Sequence, residues 1–161
     1  MLDKQVRKIL SPGKDGKTLI ITVGNTLRQD DGVGPYIAGC LTGMLPPEVI
    51  LLNAGNRPEN AIETAIMYRP VKTVIIDAAL FGAAPGKVKL IREEEIPTAT
   101  LSTHSFPIPV LSRLIAEDTG SKVFFVGIQA RNVAFGEGIS RQVKEAADEI
   151  VNYLLKAVKY A

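Results

Sequence analysis

Short apolar runs rich in β-branched residues alternate along this chain with segments whose apolar residues recur at helical spacing. Of all the features of the sequence, this alternation restricts the possible folds most. The run Thr18–Val23 is stopped by Gly24 and predicts a buried strand. The same pattern predicts four further strands: Val49–Leu52, Thr73–Asp77, Lys87–Ile91 and Lys122–Ile128. Because helices between strands act as crossover connections, we expect an α/β fold, a three-layer α/β/α sandwich around a mostly parallel, twisted five-stranded sheet.

Four segments between and after these strands predict helices. Gly34–Met44 carries a proline in its first turn, and Asn60–Tyr68 is a shorter segment of the same kind. A third helix is marked by apolar residues from Ile108 to Ile115. The long C-terminal stripe from Val143 to Val158 predicts a helix capped by Ser140.

Composition narrows the class of protein. Of 161 residues, 46% are hydrophobic and 22% charged, which is globular and excludes a disordered chain. The net charge is only +2 and there is no basic tract, so nucleic acid is not an expected partner. With no apolar stretch long enough for a membrane span, no secretory signal and one cysteine, we expect a soluble, monomeric, cytoplasmic protein. Residues 1–16 are interpreted as a mobile or edge-packed N-terminal extension and residues 17–161 as one domain.

Polar residues that follow the predicted strands are the candidate site, because ligands of parallel sheets bind beyond the carboxyl ends of the strands. Asp31 follows the first strand, Asp77 ends the third, and the only histidine, His104, precedes a predicted helix. Two carboxylates and an imidazole suit an exchangeable divalent metal with open coordination positions. The alternative is structural: Asp30 and Asp31 cap a helix, Asp77 binds loop amides, and His104 lies on the surface.

Other chemistries are less well supported. The loop GNTLRQDDGVG matches no nucleotide-binding motif, and its paired carboxylates would repel a phosphate. Ser102 and Ser105 flank His104 without a nucleophile-elbow motif, and Cys40, within an apolar helix, is expected to have a packing role. Gln129 and Arg131 follow the fifth strand and either reach the same edge or are ordinary loop residues.

Several motifs resemble those of the hydrogenase maturation proteases, most closely the type that matures hydrogenase 3. The resemblance covers the chain from about Thr18 to the C-terminal helix. The motifs, in order, are Gly24-Asn25-x-Leu27-x-x-Asp30-Asp31-Gly32-x-Gly34, Arg57-Pro58-Glu59-Asn60, Asp77-Ala78, Pro85-Gly86, Thr103-His104 and Val126-Gly127-Ile128-Gln129.

This resemblance implies an endopeptidase that removes a C-terminal extension from the large-subunit precursor of a nickel-iron hydrogenase after nickel insertion. It further implies that Asp31, Asp77 and His104 bind the metal and serve catalysis, and that the nickel arrives with the substrate, so that the site itself is empty or holds another divalent metal. In one departure, Asn53-Ala54-Gly55 stands where relatives often carry Asp-Gly-Gly. Two alternatives stay open: a non-catalytic nickel-binding chaperone or checkpoint for the same subunit, and a nucleoside or nucleotide enzyme of similar fold.

Overall fold

A computed structural model describes residues 1–96 and 106–160 of the chain. Five strands form one sheet: β1 (Thr18–Val23), β2 (Val49–Gly55), β3 (Lys72–Ala79), β4 (Val88–Ile91) and β5 (Lys122–Gln129). Among the described residues there are five α-helices: α1 (Lys4–Leu10), α2 (Val33–Leu41), α3 (Asn60–Tyr68), α4 (Ile108–Thr119) and α5 (Arg141–Lys159).

The sheet has the strand order β2-β1-β3-β5-β4. The first four strands in this order run parallel, and β4 pairs antiparallel with β5 at one edge. Thr22 of β1 is level with Ile76 of β3, and Asp77 of β3 is level with Gly127 of β5. The prediction of a mostly parallel five-stranded sheet is confirmed.

Helices cover both faces of the sheet, because the central strands carry apolar side chains on both faces and each face must be buried. On one face, Val74 and Ile76 of β3 pack with residues of α1, α2 and α5 such as Val6, Ile37 and Ile150. On the other face, Ile75 lies in a second cluster with residues of α3 and α4. The chain therefore has the predicted three layers.

The N-terminal segment is packed against the last helix. Leu2, Val6 and Leu10 are buried in the same core as α5, and the amide of Leu2 donates to Glu149 Oε1 at 2.6 Å. Asp3 caps α1 by accepting from the amide of Val6 at 2.8 Å. Residues 2–10 of the N-terminal extension are thus packed on the core through these three side chains.

Cys40 corrects one prediction. The buried side of α2 carries Val33, Ile37 and Leu41, which are spaced by four residues, whereas Cys40 lies on the outer side and is exposed. Its expected packing role is therefore wrong. No helix in the described part of the chain is both long enough and apolar enough to span a membrane.

Candidate active site

The candidate site lies where β1 and β3 end side by side at the carboxyl edge of the sheet. Asp77 is the sixth residue of β3, one position beyond Ile76, which forms the last registered pair with β1. The side chain of Asp77 is fully buried. The neighbouring position on β5 is Gly127, where a Cβ atom would lie only 2.9 Å from the Cβ of Ala79 and 3.0 Å from Cγ1 of Ile91.

The loop after β1 turns back over the end of that strand because two glycines allow very close contacts. A Cβ atom on Gly34 would lie 2.2 Å from the carbonyl oxygen of Val23. At Gly24, whose φ is +149°, a Cβ would lie 1.9 Å from the carbonyl oxygen of Asp31. Since no other residue fits at such distances, these glycines hold the short 3₁₀ helix Gln29–Gly32 directly on the end of β1.

That 3₁₀ helix carries Asp31 and contacts β3, which carries Asp77. Both carboxylates are fully buried, and Asp31 Oδ2 accepts from the amide of Asn25 at 3.1 Å. Carboxylate oxygens are hard donors suited to a divalent cation, and ionised carboxylates are costly to bury without a compensating charge or hydrogen bonds. The structure thus places two of the three predicted ligands on neighbouring elements at the carboxyl edge of the sheet.

His104, the third predicted ligand, lies outside the described residues, as do Thr103 and the two serines weighed as nucleophiles, Ser102 and Ser105. Within residues 1–96 and 106–160, no three acidic, histidine or cysteine side chains form a group that would hold a metal ion. The predicted trio of Asp31, Asp77 and His104 therefore stays a prediction.

Asp30 has a different role from its neighbour, although both are buried. Its Oδ2 accepts from the amides of Arg131 at 2.8 Å and Asn132 at 2.9 Å, and from the hydroxyl of Ser140 at 3.0 Å. Its Oδ1 accepts from the amide of Ser140 at 2.7 Å. Asp30 thus fastens the loop after β5 and the start of α5 to the loop after β1.

Ser140 precedes α5 as predicted, but its side chain makes no capping hydrogen bond to that helix. The hydroxyl donates to Asp30 instead. The predicted cap is therefore replaced by a contact with Asp30, a residue far away in the sequence, which the local sequence pattern does not indicate.

Gln129 is a structural residue that sequence reasoning left undecided. Its side chain is buried, and Oε1 accepts from the amides of Phe81 at 2.8 Å and Ala83 at 3.3 Å. It therefore holds the loop that follows Asp77. Arg131, its companion in the prediction, is exposed.

Asn53, at a position where relatives often carry Asp, accepts hydrogen bonds from nearby residues. Its Oδ1 accepts from Thr22 Oγ1 at 3.3 Å and from the amide of Gly55 at 3.1 Å. At this position the chain thus carries a neutral acceptor that ties β2 to β1.

Comparison with known proteins identifies the relatives of this chain. A family model described as HycI, hydrogenase maturation protease, matches residues 37–157, a range that includes Asp77 and His104 and begins after Asp31. The hydrogenase 3 maturation protease of Escherichia coli K12 is 30% identical over 137 residues, covering 84% of this chain and 87% of that protein.

Solved structures agree. The [NiFe] hydrogenase maturation protease HycI of Thermococcus kodakarensis superposes with a TM-score of 0.83 at 27% identity, covering 97% of this chain and 99% of that one. The endopeptidase HycI of Escherichia coli superposes with a TM-score of 0.77 at 29% identity, covering 87% and 90% of the two chains. Coverage of 97% means that most of residues 1–16 have a counterpart in the Thermococcus structure.

Proposed function

The chain belongs to the hydrogenase maturation protease family, and we propose that it is an endopeptidase that removes the C-terminal extension of a nickel-iron hydrogenase large-subunit precursor after nickel insertion. We further propose that it acts as a monomer in the cytoplasm. The observation that carries the proposal is the pair of fully buried carboxylates, Asp31 and Asp77, at one edge of a fold shared with these proteases.

In this proposal Asp31, Asp77 and His104 bind the nickel that the precursor carries. The oxygen donors of the two carboxylates fit a divalent cation, and an imidazole completes a three-residue set that leaves coordination positions for the substrate. The bound nickel would polarise the scissile carbonyl, acidify a water molecule, or hold the precursor in position. The three side chains themselves orient the metal-bearing segment at the carboxyl edge, and the glycine contacts fix where Asp31 lies.

The test is cleavage of a purified precursor, with and without nickel, followed by mass spectrometry of the large subunit. We expect shortening by one C-terminal fragment with the wild type, and none with Asp31→Asn, Asp77→Asn or His104→Gln. Asp118→Asn, on the exposed surface of α4, is the matched control and should cleave like the wild type. A wild type that binds nickel-loaded precursor without shortening it would support the chaperone alternative and overturn the protease.

Metal binding is tested separately by calorimetric titration of the protein with nickel. If the three residues are ligands, each single variant should weaken nickel binding while keeping the fold, as judged by circular dichroism. Undiminished nickel binding by all three would remove them from the site.

A further inference from the structure

Two exposed large apolar side chains lie on loops that are hydrogen-bonded to each other at the carboxyl edge of the sheet. Leu27, in the loop after β1, exposes half of its side-chain surface, and Phe135, in the loop after β5, exposes 82%. Together with Arg28, the residue after Leu27, they form what we call the edge rim. Exposed aromatic and aliphatic side chains of this size are typical anchors of protein–protein contacts.

The rim is held rigidly by backbone hydrogen bonds between its two loops. The amide of Gly136 donates to the carbonyl of Leu27 at 2.8 Å, and the amide of Gln29 donates to the carbonyl of Gly136 at 3.0 Å. Asp30 adds its hydrogen bonds to Arg131, Asn132 and Ser140. A surface ordered in advance loses little conformational entropy when a partner binds, so the rim is suited to docking.

The rim is continuous with the candidate active site. The amide of Asp31 donates to the carbonyl of Arg28 at 3.1 Å, so the residue that we propose to bind nickel lies within one turn of the rim. Tyr160, which exposes 88% of its surface, follows α5 at the opposite edge of the sheet. The edge rim and the candidate active site therefore lie on the same edge of the sheet, where we propose that the peptide bond of the precursor is presented to Asp31.

Arg28 contributes an unused hydrogen-bond donor. Its side chain is half-buried, and its enclosed Nη1 has no hydrogen-bond partner in the part of the chain that the structure describes. It also makes no ion pair with any residue in ranges 1–96 and 106–160. Nη1 itself is closed to a docked partner, but the other guanidinium nitrogens are not enclosed, and their charge without a carboxylate in those ranges suits them to donate to an oxygen of a partner.

We propose that the edge rim is the docking surface for the large-subunit precursor, and this inference rests on the proposed function. An apolar side chain of the precursor packs on Leu27 and Phe135, while Arg28 donates to a main-chain or carboxylate oxygen of the same segment. The rim then supplies affinity for the precursor, and the buried carboxylates supply the chemistry.

The test compares the kinetics of precursor cleavage by Phe135→Ser, Leu27→Ser and Arg28→Gln with those of Tyr160→Ser. Tyr160→Ser is the matched control, since it removes an equally exposed aromatic side chain from the opposite edge. Burial of one large apolar side chain corresponds to roughly a tenfold change in affinity or more. We therefore expect Phe135→Ser to raise the KM for precursor about tenfold with little change in kcat, and Tyr160→Ser to change neither.

Binding of nickel-loaded precursor, measured by calorimetry, separates the two proposals. If the wild type does not cleave, the protease proposal fails, but loss of binding in the rim variants would still support docking. If the wild type cleaves and the rim variants keep its KM and its affinity, the docking proposal is overturned while the protease stands. A fall in kcat at unchanged KM would also overturn it, because the rim would then act on the chemistry.

Discussion

The carboxylate of Asp30 holds Ser140, 110 positions further along the chain, through two hydrogen bonds of 2.7 Å from its amide and 3.0 Å from its hydroxyl. This contact joins the loop after β1 to the start of α5. Asp31, the next residue, lies against β1 and β3 instead. Two adjacent carboxylates thus have separable tasks, one in the fold and one in the proposed chemistry.

We expect Asp30→Ala to destabilise the fold strongly. The change leaves three backbone amides and one hydroxyl without their acceptor in a buried site. A loss of about 3–5 kcal/mol in the free energy of unfolding follows, measurable by urea denaturation. Asp30→Asn should also destabilise, since an amide nitrogen would face donors. A stability within 1 kcal/mol of the wild type, on the same scale, would contradict the role of Asp30 in holding the loops together.

Unlike Asp30→Ala, Asp77→Asn should abolish cleavage without destabilising the fold. The substitution replaces a fully buried carboxyl by an amide of the same size, and burial costs an ionised carboxylate more free energy than it costs a neutral amide. We expect thermal stability at neutral pH equal to or slightly above that of the wild type, together with complete loss of precursor cleavage. Differential scanning calorimetry beside the cleavage assay measures both. Normal cleavage would exclude Asp77 as a ligand, and an inactive but unfolded variant would favour a structural role.

The sequence predicted the central strands well because they are apolar runs buried on both faces, as in Thr18–Val23. It did not predict α1, because a helix of seven residues is unstable alone and forms here only where Val6 and Leu10 pack on the core. Nor does local sequence distinguish Asp30 from Asp31, since the partners of Asp30 lie about a hundred residues away.

For Cys40 the signal was present in the sequence. Val33, Ile37 and Leu41 repeat every four residues and define the buried face of α2, and Cys40 does not fall on that series. The helical period of the apolar residues therefore indicates that Cys40 lies on the outer side of α2.

Cys40→Ala should leave both stability and cleavage unchanged. The thiol is exposed, and exposed substitutions away from structural features alter the free energy of unfolding by no more than about 0.5 kcal/mol. In the native wild type the thiol should react fully with a chromogenic thiol reagent, as expected for an accessible side chain. A folded variant that no longer cleaves precursor would instead point to a thiol nucleophile.

Glu95 should make stability depend on pH in the acid range. The backbone N–H of Arg92, the Arg92 side chain and Lys89 together lower the pKa of Glu95 from 4.5 to about 2. A depressed carboxyl pKa stabilises the fold above the unfolded value of 4.5, and this contribution is lost as the pH falls from there towards 2. We expect Glu95→Gln to lose less stability than the wild type between pH 5 and pH 3, measured by urea denaturation. An equal loss of stability by the wild type and Glu95→Gln over this pH range would exclude the effect.

Two glycines of α2 should respond in opposite ways to alanine, which tests how the helix is fixed on β1. At Gly34 a Cβ would meet the carbonyl oxygen of Val23 at 2.2 Å and its amide nitrogen at 2.9 Å, so backbone must move. We expect Gly34→Ala to cost about 3 kcal/mol, or roughly 6–12 °C in Tm for a chain of this size. At Gly39 a Cβ would meet nothing within 4 Å, and alanine is the better helix former. Gly39→Ala should therefore stabilise the fold by about 0.5–1 kcal/mol.

Because the Gly34 contact also positions the 3₁₀ helix that carries Asp31, Gly34→Ala should lower cleavage at temperatures where it is still folded, whereas Gly39→Ala should not. Similar effects of the two substitutions on Tm would show that the close contact between α2 and Val23 does not fix the helix.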